Sequence, residues 1–171
     1  MSVVVENIIW FVGLVLLQVL VLSHVHILGY ATPFFFIYFL LRYDSGVGRS
    51  TLMLWGFFLG LVVDIFCNTP GINAAAATLI AFIREPIIRL VTLREMEEDF
   101  VPSISSMGVS SYFKYAMICS LIFCCVVEIM ETFSFFNWQQ LGLRIISDLA
   151  ITLVCIFCAE AIRRRNSGKG L

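Results

Sequence analysis

Residues 51–71, TLMLWGFFLGLVVDIFCNTPG, constrain the fold more than any other stretch of the chain. About 20 apolar residues, at about 1.5 Å each, cross the hydrocarbon layer of a bilayer, so the run predicts a membrane-spanning helix. Gly56, Gly60 and Asp64 recur at steps of four and share one helix face. The glycines allow a second helix to approach closely. A carboxylate on that face is costly against lipid, so Asp64 is expected to face a helix or a wet cavity. Asn68-Thr69-Pro70-Gly71 breaks the helix, and Ala74, Ala75, Ala76 and Ala77 follow. Together these predict a close-packed hairpin with one buried acid.

Composition extends the membrane reading to the whole chain. Of 171 residues, 60% are hydrophobic and 13% charged, against about 25% charged in soluble domains. An all-α, multi-pass membrane protein with a single membrane domain over residues 1–171 is expected. No basic, aromatic-interleaved patch suggests nucleic-acid binding. The first apolar run lacks a basic flank and a small-residue cleavage site, so it is expected to be retained.

Six spans are expected at residues 8–28, 31–43, 51–67, 72–84, 112–132 and 141–162. A cytoplasmic loop at 85–111 and a cytoplasmic tail at 163–171 complete the layout. The second span is short; 31–43 either crosses a thinned bilayer or is re-entrant, which leaves five spans. Within the loop, residues 86–98 alternate apolar and charged and predict a surface amphipathic helix. Residues 133–140 predict an aromatic turn with Trp138 at the interface. With six spans and a cytoplasmic N-terminus, ten of the 11 Lys and Arg residues fall inside and only Arg144 outside. The same placement serves five spans with an external N-terminus.

The ionisable residues within the spans are Asp64, Glu128, Glu131, Arg144 and Asp148. By helix rise all five fall in the outer half of the bilayer. Arg144 and Asp148 are four apart and suit a pair along one helix face, and Glu128 neighbours Glu131. Four acids exceed one arginine, which predicts a polar, partly wet pocket opening outward. The group serves either to pin helices or to hold a ligand or lipid headgroup. His24 and His26 diverge by about 200° on a helix and make a poor metal pair. The six cysteines lie in apolar runs and read as small hydrophobes; Cys155-x-x-Cys158 has no second pair for zinc. No H-E-x-x-H, G-x-S-x-G or P-loop pattern occurs, so neither an enzyme, a metal nor a cofactor is expected.

GFFLGLVVD, a short break and TPGINAAA together resemble the signature hairpin of the rod shape-determining MreD family. The loop VPSISSMGVSSYFKYA is similar to that of its Bacteroidetes-type branch. The resemblance implies a non-enzymatic component of the bacterial cell-elongation machinery, in the cytoplasmic (inner) membrane with a cytoplasmic C-terminus. It implies the partner MreC, within an assembly that includes MreB, RodA and its transpeptidase and that guides peptidoglycan synthesis. It also implies a six-helix bundle similar to the substrate-binding S-components of ECF vitamin transporters. On that reading, Gly56, Gly60 and Ala74 to Ala77 either hold the transmembrane helix of MreC or pack within the chain. The alternative is an S-component for micronutrient uptake. The first span lacks the A-x-x-x-A docking pattern common in S-components, which favours the scaffold.

Overall fold

Helix is the only way a chain this apolar can satisfy its backbone polar groups without a closed barrel. The computed structural model describes residues 3–19, 33–92, 100–132 and 138–167; 84% of them are helical and none lies in a strand. In chain order the helices are α1 (Val3–Leu17), α2 (Ile37–Arg42), α3 (Arg49–Cys67), α4 (Ile72–Val91), α5 (Ile104–Met107), α6 (Val109–Thr132) and α7 (Trp138–Ser167). Three are long and apolar enough to cross a membrane: 49–67, 109–132 and 139–164. At about 1.5 Å per residue they run roughly 28, 36 and 39 Å. The described residues are thus consistent with a helical membrane protein.

The antiparallel pair α3 and α4 makes the most extensive contact, and α6 joins α4 to α7. Large apolar side chains such as Leu54, Phe58, Ile65 and Phe66 on α3 point outward, as a lipid-facing surface requires. α4 departs from expectation at its end. It runs on past Arg84 to Val91 with Pro86 inside it, so residues 86–91 extend this helix rather than start a surface one. Residues 92–98 of that predicted helix fall almost wholly outside the described residues, as do His24, His26 and most of the aromatic turn at 133–140.

Of the two readings left open for 31–43, a crossing helix does not fit the described residues. Only the six residues of α2 are helical in the described part of 31–43. Six residues rise about 9 Å, far short of a hydrocarbon core of about 30 Å. The segment is instead the centre of the molecule: Phe36, Ile37, Leu40 and Leu41 have no exposed surface. Phe34 and Phe36 meet Phe123 of α6 edge-on, at centroid distances of 5.3 and 5.5 Å. Phe39 meets Phe11 of α1 and Trp55 of α3 at 5.9 and 6.0 Å.

A broken helix at this depth survives only if its loose backbone groups find partners in the protein. Gln18 donates from Nε2 to Pro33 O (2.8 Å) and accepts from Phe35 N at 3.0 Å. Thr152 Oγ1 accepts from Phe34 N at 3.0 Å. At the other end, Arg84 donates to the carbonyls of Leu40 (3.0 Å) and Tyr43, and Tyr115 Oη donates to Leu41 O at 3.1 Å. Arg84 is 2% exposed, and its charge sits where the helix dipole is negative.

Candidate functional site

Asp64 ties the α3–α4 turn together. α3 ends in the left-handed region at Asn68 (φ 55°), a conformation that asparagine tolerates, and Gly71 (φ 77°) starts α4 without a side-chain cap. The first N–H groups of α4 therefore need an acceptor from elsewhere. Asp64 supplies it from the preceding helix. Its Oδ1 accepts from Asn73 N (3.0 Å), Asn73 Nδ2 (2.9 Å) and the Thr69 hydroxyl, and its Oδ2 accepts from Ala74 N at 2.8 Å. The backbone carbonyl of Asp64 accepts from Thr69 N at 3.0 Å. A carboxylate at a helix N-terminus is favoured by both the free N–H groups and the dipole.

The glycine face closes the same turn. A Cβ on Gly60 would lie 2.5 Å from Asn73 O and Ala74 Cα; one on Gly56 would lie 3.0 Å from Ala77 O. Ala74, Ala76 and Ala77 are buried, and Ala75 is exposed. Of the two readings left open for this face, packing within the chain is the one observed. A partner helix has no access to Gly56 or Gly60.

The remaining intramembrane charges divide. Glu128 on α6 and Asp148 on α7 are 4% and 1% exposed. Glu131 and Arg144 are exposed. Arg144 is near enough to act electrostatically on both glutamates, and Asp64 on Glu131. All five predicted residues thus occupy one end of the bundle, but not one pocket. Asp64 is consumed by the turn, the central pair is buried, and only Glu131 and Arg144 reach the surface.

Among the described residues a cavity lies at the opposite end, where basic residues gather. A cleft of about 280 Å³ opens between α1, α2, the start of the α2–α3 loop and α7, with Arg42, Arg163, Trp10 and Tyr38 in its wall. Glu160, 3% exposed, stands behind it and accepts from Tyr38 Oη (2.9 Å) and Ile104 N (3.2 Å). Arg49 and Arg89 both pair with Glu85, at 2.9 and 2.6 Å. The Arg49 hydrogen bond, helped by both positive charges, holds the Glu85 carboxyl below its usual range.

Gln18, Arg84, Thr152, Glu160 and the three core tyrosines Tyr38, Tyr112 and Tyr115 had no place among the expected site residues. In sequence Arg84 stands at the start of the polar loop and counts only among the inner-side basic residues. The signal that was available is a count of unmet backbone groups around the short segment at 33–43, which demands internal donors and acceptors. Cys155 is half-buried and Cys158 exposed, with no disulfide. Comparison with protein-family models, curated proteins and solved structures finds no match.

Proposed function

We propose that the chain is a non-enzymatic scaffold of the MreD type, working with MreC in the bacterial cell-elongation machinery at the inner membrane. The observation that carries the reading is the unity of the resembling segment. Gly56, Gly60, Asp64, Thr69, Asn73 and Ala74 interlock as one turn, so the residues behind the resemblance act together rather than as scattered membrane-protein features. A fixed turn of this kind suits a protein that positions others, because it holds the relative angle of two spans.

The closed glycine face moves the proposed MreC contact outward. Ala75 is the exposed member of the alanine run, and Leu79 and Phe82 continue its face along α4 at helical spacing. A single transmembrane helix would pack there against a small residue flanked by two large ones.

Depletion in the native cell tests the reading. Rounding of rod-shaped cells, rescued by the wild-type chain, supports it. Normal shape with a vitamin requirement rejects it. Co-purification tests the surface: Ala75→Trp is expected to reduce recovery of MreC, while Val154→Trp on the exposed side of α7 leaves it unchanged. Equal recovery from both variants rejects the α4 surface.

A further inference from the structure

We infer that the cleft at the basic end binds the phosphate-bearing headgroup of an anionic membrane lipid. The inference needs only that the chain is a membrane protein and does not depend on the cell-elongation reading. Two guanidinium groups from separate elements, Arg42 at the end of α2 and Arg163 near the end of α7, line the same space. They lie close enough to repel each other. Arg42 lies over the ring of Trp10, 5.2 Å from its guanidinium carbon, and its buried Nε has no hydrogen-bond partner. Among the described residues neither arginine forms an ion pair.

Two described acids stand nearby. Asp44 lines the cleft, its Oδ1 accepting from Gly46 N at 3.1 Å. Glu160, whose oxygens accept from Tyr38 and Ile104, attracts Arg42 from behind the wall. Two converging arginines match a phosphate, which accepts their forked donors from several sides. The rest of the wall is apolar, from Leu14, Phe39 and Val101, and Trp10 is 42% exposed at its edge. A phosphate enters against the arginines while attached chains run past Trp10 into the bilayer. Basic pockets between membrane helices hold acidic headgroups in this way. About 280 Å³ suits a headgroup, not a whole lipid.

The test uses the full chain in an uncharged detergent, titrated with phosphatidylglycerol or phosphatidylcholine and read by native mass spectrometry. Preferential retention of phosphatidylglycerol is expected. Arg163→Gln should lower that retention about tenfold, the loss of one charge-assisted contact. Arg164→Gln removes the same charge one residue away on an exposed position and should change it less than about twofold. Arg42→Gln should act like Arg163→Gln, and thermal stability in lipid-free detergent checks that each variant folds. Equal losses from Arg163→Gln and Arg164→Gln would overturn the site in favour of general charge attraction, and equal retention of both lipids would overturn it outright. A third arm adds inorganic phosphate or glycerol phosphate. Displacement of the lipid at similar concentrations would make the ligand a soluble phosphate and overturn the lipid assignment.

Discussion

Gly60→Ala should be the most damaging single-methyl addition in the hairpin. The new Cβ would sit 2.5 Å from Asn73 O and Ala74 Cα and 2.6 Å from Ala74 N. All three are backbone atoms, so no side chain can swing aside. Ordinary contact begins near 3.4 Å, so α4 must retreat by about 0.9 Å. The retreat acts on the turn that Asp64 holds, where the bonds to Asn73 N and Ala74 N are 3.0 and 2.8 Å long. Lengthened by that amount, neither remains a hydrogen bond. Overpacking costs about 1–3 kcal/mol, and each bond to a charged acceptor about 1.5–3 kcal/mol. A loss of about 3–6 kcal/mol follows if one bond survives by tilting. Gly56→Ala, 3.0 Å from Ala77 O, should cost about 1 kcal/mol or slightly more. Gly13→Ala meets nothing within 4 Å and should be neutral or stabilising by up to about 1 kcal/mol, from helix propensity. The assay is thermal unfolding in detergent with recovery of monodisperse protein for the three variants in parallel. Wild-type stability for Gly60→Ala, or a larger loss for Gly56→Ala, would refute the argument.

Three further changes test the polar assemblies. Asp64→Asn replaces an acceptor-only carboxylate, which accepts two backbone and two side-chain hydrogen bonds, with one that turns an NH₂ toward donors; a loss of about 2–4 kcal/mol is expected, read as a lower unfolding temperature. Arg84→Met leaves the carbonyls of Leu40 and Tyr43 without their side-chain donor and should cost about 2–4 kcal/mol, with faster hydrogen exchange measured across residues 37–43. Glu85 is held below its normal range mainly by Arg49. Its contribution is therefore present above the unfolded carboxylate pKa, near 4.5, and disappears as pH falls through the lowered folded value. Its side chain is 37% exposed, so the amount is below about 1 kcal/mol, and Glu85→Gln should flatten the stability profile only below about pH 5.

The hairpin was legible in sequence because its determinants are local. Gly56, Gly60 and Asp64 repeat every four residues, the break at 68–71 is composed of turn formers, and the alanines follow directly. A one-dimensional pattern suffices when the partners lie about ten residues apart. The same property left the use of the glycine face undecided, since a small-residue stripe looks alike whether it meets its own chain or another. The segment at 31–43 was illegible for the opposite reason. Hydropathy reports that ATPFFFIYFLL avoids water but not whether lipid or protein surrounds it. Its partners are Gln18, Arg84, Tyr115 and Thr152, up to 118 residues away. The charge rule assigns Arg84 a side of the membrane and is silent on its burial against the carbonyl end of α2.

The two ends of the bundle are built on different principles. At the acid end, Asp64 fixes α3 to α4 through backbone bonds, so these helices move as one body. At the basic end, contacts run through long side chains: Tyr38 to Glu160, Arg84 to α2, and Arg49 to Glu85. Long side chains follow small displacements by changing rotamer, whereas backbone bonds to a single carboxylate do not. α2 is the element that feels both ends. Thr152 holds its entry, and Glu160, two turns later on the same α7, holds Tyr38. A displacement of α7 along its axis would therefore pull on the core segment at two points and alter the gap between Arg42 and Arg163.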